Sequence, residues 1–257
     1  MRIATWNVNS IRARLHAVLA WLSKHQPDVL CVQETKVEDE KFPAREFSDA
    51  GYGSALCGQK TYNGVAVLSR HALSEMRTGF PDPPVDEQKR LMAATTGGIR
   101  IVNAYIPNGQ TVDSLKFVYK LGFIARLRTY LDRYHRPDEP LVVLGDFNVA
   151  PEPRDVHAPE EWEGEVLFHP KARTALSELK EWGLVDLFRK HHEEEGCYTW
   201  WDYRVGAFRR NLGLRIDHIW ATQVLADRCT SCEIDKRPRG EEKPSDHAPV
   251  IASFDEI

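Results

Sequence analysis

Residues 141–148, with the sequence LVVLGDFN, place a strongly apolar run directly before a pair of polar side chains. The four apolar residues, which lie between a proline and a glycine, predict a strand that is buried on both faces. Because side chains alternate along an extended chain, Asp146 and Asn148 share one side at the carboxyl end of that strand. This is the end where α/β sheets hold their functional groups. The alternative interpretation is an Asx turn, in which the two side chains satisfy their own backbone.

The same organisation recurs, since several predicted strands end in or beside polar residues. Strand patterns with polar ends cover residues 2–8, 28–33, 99–106, 214–221 and 248–254, whereas the patterns at 52–57, 64–69 and 91–96 lack such ends. The second group is therefore interpreted as scaffold. Polar residues at the ends of five strands predict a site built from distant parts of the chain.

Helical spacing of apolar residues separates these strands. It predicts a helix after residue 10, with Asn9 or Ser10 as its cap, a long helix over 113–134 and another near 171–182. In the long helix we expect Phe117 to point inward and Lys120 to lie among the other positions. Strands that alternate with helices predict an α/β fold, here with two stacked sheets flanked by helices.

The polar residues at the strand ends have a composition that suits a metal site. They are Asn7, Glu34, Tyr105, Asn108, Asp146, Asn148, Asp217, Asp246 and His247. Any one of them alone is explained as a cap, a turn former or a surface group, but nine at comparable positions are not. Carboxylates that converge repel one another unless some are protonated or a cation lies between them. Oxygen ligands without a cysteine or histidine cluster favour Mg²⁺ or Mn²⁺, with Glu34 as the first choice of ligand.

Composition limits the class of protein. The 257 residues are 42% hydrophobic and 28% charged with no break in composition, which predicts one domain over residues 1–257.

No export signal and no apolar run of membrane-spanning length are apparent, and the five scattered cysteines indicate a reducing compartment, so we expect a cytoplasmic protein. Cys229 and Cys232 are interpreted as thiols in or beside a strand. The net charge of −4 does not exclude a nucleic-acid partner, because basic residues can cluster on one face.

Six motifs, in order over essentially the whole chain, resemble the motif set of the exonuclease III family of apurinic/apyrimidinic (AP) endonucleases. They are WNVNSIR at 6–12, QETK at 33–36, NAY at 103–105, GDFN at 145–148, LRID at 214–217 and PSDHAPV at 244–250. The resemblance implies a DNase I-like, four-layered α/β sandwich with two stacked mixed sheets flanked by helices. It also implies a Mg²⁺-dependent enzyme, with Mn²⁺ as a substitute, that acts on double-stranded DNA with abasic sites, nicks or recessed 3′ ends, and we expect a monomer.

The resemblance also implies a role for each matching residue. The metal would be held by Asn7 and Glu34, with Asp246 near it directly or through water. The scissile phosphate would contact Tyr105, Asn148 and His247; Asp146 would position or deprotonate the attacking water, and Asp217 would orient His247. Independently, alternation along an extended segment predicts that Asp246 and His247 point in opposite directions, so that a carboxylate from another strand orients the histidine.

Candidate DNA contacts lie in the last third of the chain. No acidic residue occurs between Asp202 and Asp217, where four arginines surround an aromatic residue, as in loops that enter a DNA groove. The DNA-binding candidates are Arg204, Phe208, Arg209, Arg210 and, after the strand over 99–106, Asn108; Arg215 lies in the same run. A second basic cluster, Lys236, Arg237 and Arg239, is explained equally well as a solvated surface.

The resemblance also places an apolar pocket for a sugar without its base at Trp200, Leu214 and Ile216. A small, dry pocket of this kind admits an abasic deoxyribose and excludes a normal nucleotide. As a hypothesis, the bulk of Leu167 narrows this pocket and shifts the balance from abasic-site incision towards trimming of 3′ ends.

Three alternatives remain open. One is a 3′-5′ exonuclease with little AP endonuclease activity, and another is a related phosphoesterase, such as a DNase I-like enzyme or an inositol-phosphate phosphatase. The arginine-rich loop and the Tyr105 motif weigh against the second of these. The third is a catalytically silent nucleic-acid-binding regulator, which would be expected to lack some of Glu34, Asp146, Asp217 and His247; all four are present.

Overall fold

Two six-stranded sheets pack face to face in the computed structural model, which describes residues 1–255. The elements of the first half are β1 Arg2–Asn7, α1 Leu15–His25, β2 Val29–Gln33, α2 Ala44–Asp49, β3 Gly53–Cys57, β4 Val65–Ser69, β5 Ser74–Thr78, β6 Leu91–Thr96, β7 Ile99–Tyr105 and α3 Leu115–Tyr134. Those of the second half are β8 Leu141–Asp146, α4 Pro159–Trp162, α5 Pro170–Lys180, β9 Leu184–Asp186, α6 Leu187–His191, β10 Asp217–Thr222, α7 Gln223–Ala226, β11 Cys229–Ile234 and β12 Val250–Phe254.

Both sheets are mixed. The first has the order β11-β12-β1-β2-β4-β3 and the second the order β5-β6-β7-β8-β10-β9. The pairs β1–β2 and β7–β8 are parallel, and the other pairs are antiparallel. Helix α1 covers the outer face of the first sheet, whereas α3 and α5 cover the second. The predicted four-layered α/β sandwich is therefore confirmed.

Most predicted elements are present, but two boundaries are wrong. The strand predicted over 214–221 begins at Asp217, so Leu214, Arg215 and Ile216 precede it. The helix expected to be capped by Asn9 or Ser10 begins at Leu15, because both residues have positive φ angles that place them in a turn. The strands β5, β9 and β11 were not predicted as such. Cys229 and Cys232 lie in β11 as free thiols, in agreement with their interpretation. No helix within residues 1–255 is long and apolar enough to cross a membrane.

Two cations expected at outward or DNA-facing positions are buried instead. Lys120 of α3 is completely inaccessible to solvent, and Arg215 is 1% exposed. Neither helical periodicity nor local charge predicts that these two side chains are buried, because each cation is bonded to groups that are distant in sequence. Arg215 is paired with Asp155 at 2.7 Å and with Asp186 at 2.8 Å, so it is not available to DNA.

Candidate active site

Strand register brings the polar strand ends to one edge of the two sheets. Asn7 ends β1 beside the parallel strand β2, and Glu34 follows that strand directly. In the second sheet, Asp146 of β8 is the register partner of both Tyr105 in β7 and Asp217 in β10. Three polar side chains thus stand on adjacent strands of the second sheet, facing the end of the first.

A hydrogen-bonded cluster joins the two sheets across this edge. Asn7 Nδ2 donates to Glu34 Oε1 at 2.9 Å and to Asp146 Oδ2 at 2.8 Å. The Tyr105 hydroxyl donates to the same Glu34 oxygen at 2.9 Å, and Lys36 Nζ lies 2.8 Å from Glu34 Oε2. Burial raises the pKa of Glu34, but Lys36 and the Asn7 carboxamide outweigh this effect and lower it. Glu34 is therefore a carboxylate at neutral pH.

His247 lies in this cluster and is oriented by Asp217. Its Nδ1 is 2.8 Å from Asp217 Oδ2, and its Nε2 is 3.8 Å from Asp146 Oδ2. Burial lowers the pKa of His247, but the Asp217 and Asp146 carboxylates outweigh burial and raise it to about 10. The structure therefore places a cationic imidazolium between two aspartates, with Nε2 directed towards Asp146.

The region after β8 combines the two interpretations of the GDFN motif. Asp146 Oδ1 accepts a hydrogen bond from the Asn148 backbone N–H at 2.9 Å, which is the Asx turn. The turn uses only this oxygen of Asp146. The other oxygen, Oδ2, faces the site, so the turn orients the carboxylate for it. Asn148 Nδ2 donates to Ile106 O at 3.0 Å, and Asn148 Oδ1 accepts from Asn108 Nδ2 at 3.2 Å.

Asp246 lies to one side of the central cluster. Its Oδ1 accepts from Asn9 Nδ2 at 2.9 Å and its Oδ2 from Trp200 Nε1 at 3.0 Å. Burial raises the pKa of Asp246, but His247 and the two donors outweigh burial and lower it. Both oxygens therefore already have a protein donor, and each keeps a second lone pair that can face a metal ion or a water.

Three groups of the cluster lie close enough together to surround a cation. Atoms of Glu34, Asp146 and His247 lie within 4.8 Å of one another; the two carboxylates have lone pairs for a metal ion, whereas a protonated imidazole has none. Buried Asp217 Oδ1 has no hydrogen-bond partner. Burial, together with the neighbouring carboxylates of Asp217 and Glu34, raises the pKa of Asp146 despite the opposing effect of His247. This is the excess of buried negative charge that a divalent cation neutralises.

Of the predicted metal ligands, Glu34 is in this group, whereas Asn7 and Asp246 border it. The Asn7 carboxamide oxygen accepts from the Asn9 backbone N–H at 2.9 Å, so it too has a protein partner. Two neighbours of the site, Asn9 and Lys36, were not predicted as site residues. Both belong to the quoted motifs WNVNSIR and QETK, which is the one sequence signal that marks them.

The predicted apolar pocket residues are in mutual contact beside the cluster. Leu214 and Ile216 are buried with Leu167, and Trp200 packs against the same group. Leu214 and Trp200 also face one another through backbone hydrogen bonds, which fixes the separation of the pocket walls. Leu167 is 4% exposed, so its side chain is buried in this cluster.

The arginine-rich loop carries exposed and packed residues. Arg209 and Arg210 are exposed, and so is Arg204, whose guanidinium pairs with Asp202 at 2.6 Å. Phe208 packs edge-on against Trp201 with the ring centroids 5.1 Å apart, so it anchors the loop.

The second basic cluster is mainly structural. Arg237 pairs with Asp235 at 2.7 Å, and Arg239 is 7% exposed with its guanidinium 5.2 Å from the Phe208 ring centre. The Lys236 ammonium lies 5.7 Å from the Trp201 ring centre. Their positive charges are thus largely engaged by neighbouring groups.

Stacked sheets that bring carboxylates, carboxamides and one charged histidine to a common edge define a hydrolase-like α/β enzyme with an acidic cation site. Comparison with known proteins agrees, because the model of the endonuclease/exonuclease/phosphatase family matches residues 4–247. The chain belongs to this family.

Relatives match the chain over nearly its whole length. Exodeoxyribonuclease III of Haemophilus influenzae is 38% identical over 99% of this chain and 100% of its own. An AP endonuclease structure from Archaeoglobus fulgidus is 48% identical, with a TM-score of 0.97 and 99% of each chain covered. The 3′-5′ exonuclease NExo from Neisseria meningitidis is 42% identical, with a TM-score of 0.94, covering 99% of this chain and 100% of its own.

Proposed function

We propose that this protein is a metal-dependent DNA repair nuclease that hydrolyses phosphodiester bonds in duplex DNA. Its activities would be 3′-5′ exodeoxyribonuclease and AP endonuclease incising 5′ to abasic sites, together with cleaning of 3′ ends. The observation that carries this proposal is the buried Asp146 carboxylate, held by Asn7 at 2.8 Å with His247 Nε2 at 3.8 Å. The names of the relatives, which include an exodeoxyribonuclease III and an AP endonuclease, support the choice of DNA as substrate.

The cofactor is proposed to be Mg²⁺, with Mn²⁺ as a substitute. Glu34 is the principal ligand, Asn7 assists it, and Asp246 lies near the ion directly or through water. The donor set is mainly hard oxygen, which suits these ions better than zinc. When bound, the ion neutralises phosphate charge and polarises the scissile bond.

Asp146 is proposed to position and deprotonate the attacking water. Its pKa is raised by burial, which brings the carboxylate closer to the range where a general base is effective near neutral pH. The water oxygen bonds to phosphorus in line with the leaving 3′ oxygen, whose bond to phosphorus breaks in the same step; this oxygen departs as an alkoxide and takes a proton from solvent. The water proton passes to Asp146, and no covalent enzyme intermediate forms. The Asx turn to Asn148 and the Asn7 carboxamide hold the base in place.

The remaining polar groups are proposed to bind the phosphate. His247 is held protonated by Asp217, so its Nε2–H can donate to a phosphate oxygen as negative charge develops. Tyr105 stays a phenol, because burial and the Glu34 carboxylate raise its pKa well above the ordinary value. Phosphoryl transfer is mostly positioning and charge stabilisation, which is what these groups supply together with Asn148.

The proposed partner is double-stranded DNA with abasic sites, nicks or recessed 3′ ends. Arg209 and Arg210 are exposed on the arginine-rich loop and suit contact with the DNA backbone, and Asn108 donates a hydrogen bond to Asn148 at 3.2 Å. Cytoplasmic location and a monomeric state stay predictions from the sequence.

The first test uses two labelled duplexes, one with a central tetrahydrofuran abasic analogue and one with an intact recessed 3′ end. Each is incubated with Mg²⁺ or with EDTA. Incision immediately 5′ to the analogue, dependent on Mg²⁺, is the expected result. Absence of metal-dependent cleavage of both duplexes would overturn the proposal in favour of a related phosphoesterase or a silent DNA-binding regulator.

A second candidate, a 3′-5′ exonuclease with little AP endonuclease activity, is favoured by Leu167. Its buried side chain belongs to the same apolar cluster as Leu214 and Ile216, the predicted pocket residues. We expect Leu167→Gly to raise abasic incision relative to 3′ trimming, measured on the two duplexes in parallel. Leu176→Ala, a buried truncation in α5, controls for lost packing, and an unchanged ratio in Leu167→Gly contradicts the hypothesis.

A further inference from the structure

The Lys120 ammonium is buried beneath the proposed active site and donates to three backbone carbonyls. Lys120 lies on α3 with no solvent exposure, between apolar positions such as Phe117 and Phe123 that face the core. Its Nζ contacts Asn148 O at 2.6 Å, Val166 O at 2.7 Å and Asn108 O at 3.0 Å. Three carbonyls satisfy the three ammonium protons, so the group is fully bonded despite its burial.

These carbonyls belong to three separate segments that reach the site. Asn108 follows β7, Asn148 follows β8, and Val166 directly precedes the pocket-wall residue Leu167. The Asn108 and Asn148 side chains are themselves hydrogen-bonded at 3.2 Å. One ammonium thus links the backbone of two predicted substrate-binding residues to the backbone of the apolar pocket.

The segments close tightly around the lysine stem. Gly109 has a φ of +98°, and a Cβ atom there would lie 2.7 Å from Val166 Cγ2 and 3.1 Å from Lys120 Cδ. A side chain at this position would be strained by the positive φ and would press on the side chains of Val166 and Lys120. Glycine therefore allows the Lys120 stem and Val166 to pack against the turn that follows Asn108.

The cost of burying a charge at this position is offset by what the charge binds. Burying an ammonium is costly, and burial lowers the pKa of Lys120 to about 7 even though Asp146 opposes the shift. An apolar residue would avoid that cost but would leave the three carbonyls without their common donor. By binding all three carbonyls, the lysine fixes the distances between the three segments.

We propose that Lys120 is a positioning residue for phosphodiester hydrolysis, acting through the Asn148 backbone to hold the phosphate-binding carboxamide in register with the apolar pocket. The inference rests on the proposed nuclease function. Lys120 touches no substrate. Its removal is expected to slow the chemical step rather than to abolish DNA binding.

The test compares Lys120→Met with Lys190→Met. Lys190 Nζ also donates to two backbone carbonyls, those of Ala226 and Cys229, in segments that hold none of the predicted site residues. Single-turnover rates at saturating abasic duplex are expected to fall about 10- to 100-fold for Lys120→Met, since misplacement by about 1 Å costs up to about 100-fold. Lys190→Met is expected to stay within about twofold of wild type. Thermal unfolding of each variant reports any loss of stability.

A double-mutant cycle with Asn148→Ala separates positioning from general destabilisation. If Lys120 acts through Asn148, Lys120→Met slows the Asn148→Ala enzyme much less than it slows wild type. Equal effects in both backgrounds, or a Lys120→Met rate within about twofold of wild type, would overturn the inference. Should Lys120→Met fail to fold, Lys120→Gln, which retains an amide donor, replaces it in the cycle. If the wild-type protein itself has no nuclease activity, the proposed function is wrong. This result differs from a failure of the Lys120 inference, in which wild type is active.

Discussion

Two buried clusters of charged side chains meet around the start of β10 and differ in how their charges are balanced. In one, Arg215 pairs with Asp155 at 2.7 Å and with Asp186 at 2.8 Å, and Arg189 also pairs with Asp155. His218 joins them, with Nδ1 3.0 Å from Arg215 Nη1. Two guanidinium groups thus face two carboxylates and one imidazole, and this cluster is balanced.

The other cluster contains Asp217, which lies between Arg215 and His218 in the sequence, and is not balanced. Asp217 and Asp146 are partners on adjacent strands, and Glu34 approaches from the other sheet. His247 and Lys36 supply the positive charge, and Asp217 Oδ1 is buried without a partner. Like charges held together at a cost favour a ligand that completes the arrangement, and the proposed function supplies a cation and a phosphate. In the balanced cluster each charge already has a partner of opposite sign, so no ligand is needed.

The largest expected effect comes from a substitution that breaks the balanced cluster. Arg215→Met leaves the Asp155 and Asp186 carboxylates buried without their main partner, which we expect to cost about 3–5 kcal/mol in the free energy of unfolding. Urea denaturation measures it. Arg204→Met is the control, because the exposed Arg204–Asp202 pair is worth at most about 1 kcal/mol. A loss below about 1 kcal/mol in Arg215→Met contradicts the structural role.

The same cluster predicts a pH dependence of stability. Burial and Arg215 lower the pKa of His218 from 6.5 to about 4, with Nε2 3.0 Å from the Val149 carbonyl oxygen. Between these values the unfolded chain binds the proton and the folded chain does not. Stability is therefore lost as pH falls from about 6.5 to about 4, by about 3 kcal/mol for this group. Urea titrations at several pH values should show a shallower slope for His218→Gln; an unchanged slope refutes the assignment.

Substitutions in the unbalanced cluster are expected to act on catalysis instead. Asp146→Asn and His247→Asn should each slow the single-turnover rate by about 100-fold or more, a barrier increase of at least about 2.7 kcal/mol. DNA binding should survive, because the arginine-rich loop is unchanged. Loss of Asp146 also relieves repulsion with Asp217, so stability should not fall as it does for Arg215→Met. Rates within tenfold of wild type would refute these roles.

The smallest expected effect is on the stabilisation by Mg²⁺, which should depend on the unbalanced cluster and not on the balanced one. Mg²⁺ at about ten times its dissociation constant should stabilise the wild-type protein by about 1.4 kcal/mol. Glu34→Gln removes the principal proposed ligand and should lose most of this gain, whereas Arg215→Met should keep it. Thermal unfolding with and without Mg²⁺ measures the difference. Equal Mg²⁺ stabilisation in wild type and Glu34→Gln would exclude Glu34 as the principal ligand.

Much of the fold was predictable because the apolar patterns are strong and local. The buried strand before Asp146 and the long helix over residues 115–134 follow directly from periodicity. The polar strand ends were predictable for the same reason, since strands that end in polar residues place them at one edge. Lys120 and Arg215 were misplaced because their partners, three carbonyls and two aspartates, lie in segments that no local pattern connects to them.

The sequence by itself determined the α/β class, the strands and the residue types gathered at their ends. Alternation also indicated that the partner of His247 had to come from another strand. Residue patterns did not identify that carboxylate: the family resemblance implied Asp217, and the tertiary structure shows the contact at 2.8 Å and shows which arginine is neutralised. Both depend on the register of β8 with β10 and on the packing of one sheet over the other. The physical reason is that burial and charge balance are set by neighbours across the sheets, whereas a sequence pattern reports only neighbours along the chain.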